Sequence, residues 1–166
     1  MLIVPAGTKM PASGALLPGE IKHGDRMTQD GIALAAVVIL LFPMGYFLLA
    51  APAFLLVKLD IPQVAQLLRG MFNAYFLMVS IAAVIGTIAF VVAGRPAFAL
   101  AMALIAAFAF RARPWFLRQW DAQVGARDAG DADAVRRLRR MHWGGMLTNA
   151  VQIVAVVVSI PYVAST

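Results

Sequence analysis

Long apolar runs separated by short charged segments form the main pattern of hydrophobic and polar positions along the chain. A membrane-spanning helix needs about 20 mostly apolar residues to cross ~30 Å of hydrocarbon. Three runs meet this requirement outright, and a fourth meets it if its helix continues past Arg111 and Arg113 to Leu117. The pattern therefore predicts an all-α integral membrane protein with four transmembrane helices in a bundle. The predicted spans cover about residues 31–57, 70–93, 96–117 and 141–161.

Glycine and proline mark the predicted helix boundaries. Gly94, Arg95 and Pro96 form the whole link between the second and third spans. Glycine commonly ends a helix and proline suits the first turn of the next, so this link predicts a tight hairpin. Pro62 is predicted to open a helix in the same way, and Pro43 predicts a kink within the first span because it lacks a backbone donor.

Residues 1–28 are rich in glycine, proline and mixed charges, and they are predicted to form an extramembrane tail. Residues 29–166 are predicted to form the four-helix transmembrane domain. The tail has no apolar core of the length that a secretory signal needs. The first span is therefore expected to be an uncleaved anchor, with the tail as an arm that docks onto a partner.

The composition agrees with a membrane protein. The chain is 62% hydrophobic and only 13% charged, with a mean hydropathy of +0.83. Soluble domains average roughly 45–50% apolar and about 25% charged residues. These values exclude an ordinary globular enzyme, a disordered tail and a nucleic-acid-binding module. The chain has no cysteine, which excludes a disulfide framework, a zinc ribbon, an iron–sulfur cluster and a thiol nucleophile.

Positive charge is distributed unevenly between the two ends of the predicted spans. Of the 14 lysine and arginine residues, ten lie in residues 58–69 and 111–140, and four lie in the tail and the 94–95 turn. Lysine and arginine in short loops favour the cytoplasm. We therefore predict a multi-pass protein of the bacterial inner membrane with both termini on the outer, periplasmic side. Trp115, Trp120 and Trp143 are predicted to form an aromatic belt at the cytoplasmic edge.

The basic segment from Arg111 to Arg140 carries no nucleic-acid-binding motif, and its last arginines adjoin the membrane. A topology signal that contacts anionic lipid explains this charge more simply than a nucleic-acid partner does. The predicted anionic-lipid contacts are Arg111, Arg113, Arg136, Arg137, Arg139 and Arg140.

The few polar residues within the spans fall on single helical faces. On the fourth span they occupy an arc of roughly 120°, and on the second an arc of about 80°. Because a polar group that faces lipid is left without a hydrogen-bond partner, these two stripes are predicted to face protein and to bring the second and fourth spans together. They either join the helices or line a pocket for a lipid, a quinone or an apolar metabolite. The predicted stripe residues are Asn73, Ser80, Thr87, His142, Asn149 and Gln152.

Catalytic chemistry is not expected. His142 could ligate haem or a metal or accept a proton, but His23 is on the opposite predicted side, so an interfacial hydrogen-bonding role is preferred. Ser80 and Ser159 have no nearby histidine and carboxylate to activate them. The spans contain no Asp, Glu or Lys, which argues against an ion-coupled pump. We expect no enzyme activity, no cofactor and no metal site.

The segment Arg137-Leu138-Arg139-Arg140-Met141-His142, followed by Asn149 and Gln152, resembles a group of small bacterial four-span membrane proteins of unknown function. In that group a basic segment with histidine and an internal asparagine mark the last helix. The resemblance implies a four-helix membrane bundle and no known activity.

Two functions follow from these features. The first is a non-catalytic accessory or assembly subunit of a larger respiratory or photosynthetic complex in the inner membrane. The alternative is a small transporter or a lipid- or quinone-binding four-helix bundle, and a quinone- or haem-holding oxidoreductase component is a third class. The expected partners are membrane lipids and other membrane protein subunits, not nucleic acid.

Overall fold

The computed structural model describes residues 18–55 and 61–164 of the chain. This part is all α-helical, and four of its helices are long and apolar enough to cross a membrane. The predicted four-helix membrane fold is thereby confirmed. A short 3-10 helix over Ala51–Leu55 follows the first helix directly. The four long helices are α1 (Pro18–Ala50), α2 (Pro62–Val92), α3 (Pro96–Asp128) and α4 (Ala134–Ala164).

The link between α2 and α3 is the predicted tight hairpin, which the structure confirms. Gly94 has a φ of +68°, in the left-handed region that glycine adopts without steric cost. The guanidinium of Arg95 donates hydrogen bonds to the carboxylate of Asp30 on α1 and to the carbonyl of Val163 on α4. One arginine in the hairpin therefore joins this end of the bundle to both the first and the last helix.

Each of the four helices has at least one end that differs from its predicted span. α1 ends at Ala50 rather than continuing to 57, because Pro52 has no N–H to extend the helical hydrogen bonds. α2 begins at Pro62, and α3 continues to Asp128. A span predicted from hydropathy stops where the hydrocarbon stops, whereas a helix can continue into water when another helix supports it. Of the predicted tail, residues 18–28 belong to α1, and residues 1–17, with most of the proposed docking arm, lie outside the described residues.

An ion pair supports the extended ends of α2 and α3. The Nε of Arg69 lies 2.5 Å from Oδ1 of Asp121, and a second guanidinium nitrogen lies 2.8 Å from Oδ2. This two-point geometry is the arrangement that arginine and carboxylate favour. The pair holds the two helices together beyond the predicted spans.

The helices pack through seams whose residues alternate three and four positions apart. This spacing, close to 3.5 residues per turn, is that of left-handed helical bundles. On α2 the seam includes Ala65, Leu68, Phe72, Tyr75, Val79, Ala82 and Gly86. On α4 it includes Leu138, His142, Gly145, Asn149, Gln152 and Val156. The polar stripe predicted for the fourth span is thus largely the face that α4 turns into the bundle.

The four helices form a ring in which each contacts its neighbours. Contact is most extensive between α2 and α3 and least extensive between α3 and α4. α2 and α4 consequently lie diagonally opposite each other, and their longest side chains meet across the core. This arrangement leaves the α3–α4 boundary as the most open side of the bundle.

Aromatic rings fill the core on the side of the α3–α4 turn. Phe72 lies at its centre, with ring centroids 4.5 Å from Phe116, 5.1 Å from Phe47 and 5.6 Å from Trp120. Trp120 is completely buried and its indole N–H donates to the carbonyl of Ala65 at 3.2 Å, so its assignment to an aromatic belt was wrong. It follows the buried Phe116 by four residues and therefore shares its inward face. Trp115 and Trp143 are exposed.

Candidate functional site

Asn149 is the best-connected polar residue of the core. Its side chain is fully buried, its amide nitrogen donates to the Met44 carbonyl of α1 at 2.9 Å, and its amide oxygen accepts from the Tyr75 hydroxyl of α2 at 2.9 Å. Both ends of the amide thus have partners, as a buried polar group requires. Asn149 connects α4 to two other helices at once.

The Tyr75 hydroxyl extends this connection to Gln152. It lies 3.3 Å from the Gln152 side-chain oxygen. The single hydroxyl hydrogen is thus within reach of two acceptors on successive turns of α4. Sequence reasoning missed Tyr75, which carries the link between α2 and the α4 stripe. The sequence feature that could have identified Tyr75 is its position three residues after Phe72 and four before Val79, on the buried face of α2.

His142 joins the start of α4 to the end of α1. Its ring is fully buried, and Nε2 lies 3.0 Å from the carbonyl of Ala51. Ala51 begins the 3-10 helix that follows α1, and because a carbonyl can only accept, an Nε2–H donor here joins α4 to the junction of these two helices. Nδ1 is then an unprotonated acceptor, and none of the described residues gives it a hydrogen bond. Among the described residues, no cluster of His, Cys, Asp or Glu could hold a metal ion.

The three polar residues predicted on α2 lie beside its buried seam. Asn73 accepts a hydrogen bond from Nε of Arg113 on α3 at 2.9 Å. Ser80 and Thr87 each donate at 2.8 Å to a carbonyl four residues earlier in α2. They are half-buried and find partners on α3 or on their own helix, whereas the contact with α4 is made from Tyr75.

A cavity of about 280 Å³ opens between α3 and α4 next to this polar network. We call it the α3–α4 groove. At one end it is bounded by Trp115 and Met141, and at the other by Ile105 and Gln152. The segment of α4 between these ends measures about 16 Å at the helical rise of 1.5 Å per residue, close to half the ~30 Å hydrocarbon thickness. Side chains of α2 also line the groove, and the further lining residues are Phe72, Tyr75, Phe76, Val79, Phe108, Ala109, Ala112, Phe116, Gly144, Gly145 and Thr148.

Small residues account for the opening of the groove. Gly144 lies on its wall, and a Cβ added there would meet nothing within 4 Å. At the neighbouring Gly145, an added Cβ would lie 2.7 Å from the ring of Phe72. Gly145 therefore lets α4 approach the aromatic core, whereas Gly144 leaves space toward α3.

The six arginines predicted to contact anionic lipid fall into two groups. Arg113 binds Asn73, Arg136 pairs with Asp133 at 2.8 Å, and Arg137 binds Asp131 and Gln123. The Arg137 guanidinium, followed by the backbone N–H of Asp133, holds the pKa of Asp131 below its ordinary value. In the second group, no described residue gives a hydrogen bond or ion pair to Arg111, Arg139 or Arg140, all of which are exposed.

No protein-family profile, curated protein or solved structure matches this chain. The resemblance to small bacterial four-span proteins therefore stays a prediction.

Proposed function

We propose that this protein is a non-catalytic membrane bundle that binds an amphiphilic membrane molecule in the α3–α4 groove. The observation that carries the proposal is the groove itself, which is open on one side and lined mainly by aromatic and aliphatic side chains. Its length matches one leaflet, and its walls suit a hydrocarbon chain. Ligand pockets in proteins are typically concave and largely apolar with a few polar groups, and Thr148 and Gln152 are such groups here.

Filling the groove is expected to displace its occupant. A Gly144→Phe variant places a ring where the present glycine leaves open space. The matched control is Leu147→Phe, because Leu147 is 66% exposed and lies outside the groove lining. We expect the purified Gly144→Phe protein to retain less than half of the amphiphile bound by the wild type, measured by mass spectrometry of extracted lipids. The Leu147→Phe protein should retain the wild-type amount, and equal retention in all three proteins would contradict the proposal.

We further propose how the protein is oriented and which membrane contains it. The ten-to-four distribution of basic residues supports a cytoplasmic α3–α4 turn, periplasmic termini and the bacterial inner membrane. The exposed Arg139 and Arg140 lie at the same end of the bundle as that turn. Alkaline phosphatase fused after residue 166 should be active, and the same enzyme fused after residue 130 should be inactive. The opposite pattern would invert the orientation.

An accessory subunit of a larger respiratory or photosynthetic complex is the second candidate. Only 17% of the residues in the most apolar segment of α3 are buried within the bundle, and this low burial favours an accessory subunit. Such a helix offers a wide apolar face to another subunit. In the same mild purification, an accessory subunit would bring a partner protein at constant stoichiometry, whereas a lipid-binding bundle would bring amphiphile alone.

A further inference from the structure

Two arginines that form no hydrogen bond or ion pair with the described residues lie next to the α3–α4 groove. Arg111 lies three residues after Phe108 and four before Trp115, both of which line the groove. Arg140 directly precedes Met141 and lies four residues before Gly144, which line its other wall. Residues three and four apart are neighbours on a helix surface. By this spacing, Arg111 and Arg140 therefore flank the groove on its α3 and α4 sides, and Arg140 lies at the end nearer the α3–α4 turn.

The described acidic residues at this end are engaged elsewhere. Asp121 is bound by Arg69, and Asp131 by Arg137. Asp133 pairs with Arg136, and Asp128 pairs with Arg127. Arg111 and Arg140 are left with net positive charge that the described part of the protein does not neutralise. Exposed arginines next to a membrane attract anionic lipid.

The depth of the two arginines suits a lipid phosphate. Trp115 is exposed at the same end of the groove, and tryptophan is enriched where hydrocarbon meets headgroups. Arg111 lies one turn deeper than Trp115, from where a long arginine side chain can extend to the headgroup level. Guanidinium groups bind phosphate oxygens through paired hydrogen bonds. A molecule with one chain in the groove would place its phosphate between the two arginines.

We infer that the α3–α4 groove and Arg111 with Arg140 form a binding site for one anionic phospholipid, taken from the leaflet on the side of the α3–α4 turn. This inference rests on the proposed function and adds the headgroup class. In an anionic phospholipid no positive group in the headgroup compensates the phosphate charge, so the phosphate can pair with the arginines. In a zwitterionic lipid the choline group carries a compensating positive charge. The occupant is a membrane lipid rather than free phosphate, because the hydrocarbon chain fills the apolar groove.

The test uses the full-length protein in nanodiscs of phosphatidylcholine. Trace phosphatidylglycerol or phosphatidylcholine with a photoreactive acyl chain is added, and labelled residues are mapped by mass spectrometry. We expect phosphatidylglycerol to label groove residues such as Phe108 and Thr148 several times more than phosphatidylcholine does. Each arginine near an anionic surface contributes about fivefold in affinity, so the double variant Arg111→Gln/Arg140→Gln should lose this preference.

A second double variant, Arg118→Gln/Arg139→Gln, removes the same charge without touching the groove. Arg118 lies beyond Phe116, the last groove residue on α3, and its guanidinium already donates to the Pro114 carbonyl. Arg139 lies on the face of α4 opposite Gly144 and Thr148. This control should keep the wild-type preference for phosphatidylglycerol. Loss of the preference in the control as well would show general surface charge and overturn the inference.

Two further outcomes separate the inference from the proposed function. Equal groove labelling by the two lipids in the wild type would overturn the anionic headgroup site while leaving amphiphile binding intact. Labelling that avoids the groove for both lipids, but marks exposed residues such as Leu147, would overturn the proposed function and the inference together.

Discussion

Replacing Asn149 by alanine is expected to destabilise the bundle by about 2–3 kcal/mol. The change removes the hydrogen bonds to the Met44 carbonyl and from the Tyr75 hydroxyl, both 2.9 Å long in the fully buried core. It also leaves space where the amide was, and the Tyr75 hydroxyl keeps only its longer contact with Gln152. Reversible unfolding by sodium dodecyl sulfate in mixed micelles, followed by tryptophan fluorescence, would measure the loss.

Thr148→Ala is the matched control for this variant. Thr148 is the preceding residue of α4, its side chain is exposed, and its hydroxyl donates only to the Gly144 carbonyl of its own helix. Its removal should cost less than about 0.5 kcal/mol. A cycle that combines Asn149→Ala with Tyr75→Phe should give a coupling energy of roughly 0.5–2 kcal/mol. Unfolding of Asn149→Ala at the wild-type detergent fraction would show that the network does not stabilise the bundle.

Two adjacent glycines are expected to respond to alanine in opposite directions. In Gly145→Ala the new Cβ would lie 2.7 Å from Cε1 and 3.1 Å from Cζ of Phe72. The Phe72 ring cannot easily move away, because it is 1% exposed and packed against four other aromatic rings. Overpacking costs about 1–3 kcal/mol, which exceeds the gain of up to ~1 kcal/mol in helix propensity.

Gly144→Ala keeps the gain in helix propensity without the steric cost. A Cβ at this position meets nothing within 4 Å, so the variant should be as stable as the wild type or more stable by up to ~1 kcal/mol. Unfolding in mixed micelles would compare the two proteins under one condition. Adding Phe72→Leu should partly rescue Gly145→Ala, since it removes the atoms that clash. A Gly145→Ala protein at least as stable as Gly144→Ala would contradict the close approach of α4 to Phe72.

The number of helices, the α2–α3 hairpin and the inward face of α4 could be predicted from the sequence, because run length, glycine–proline chemistry and helical period are local properties. On α2 the polar residues did not identify the face that is buried in the bundle. Asn73, Ser80 and Thr87 satisfy their hydrogen bonds beside the seam, through Arg113 or their own helix, and so need not face the core. The seam itself is built from residues such as Tyr75, whose hydroxyl acquires its role only once α4 is in place.

The α3–α4 groove could not be predicted from any single segment. Its existence depends on how far α3 stands from α4, and this distance is set by packing around the whole ring of helices. The burial of Trp120 has the same origin, because an amphipathic aromatic residue near a predicted membrane edge suits a lipid interface or a core equally well. Pairing between helices decides between the two environments.

The hydrogen bonds of His142 and Asn149 together fix the axial alignment of α4 against the α1 segment. Both donors are on α4 and seven residues apart. Their acceptors are also seven residues apart, the Met44 carbonyl on α1 and the Ala51 carbonyl directly after its end. Apolar side chains along such seams are similar enough that sliding one helix by a turn changes packing little. A slide of three or four residues would break both hydrogen bonds at once and would move the end of the α1 segment away from His142. The two helices are thus held in one alignment by groups that contribute little to apolar packing.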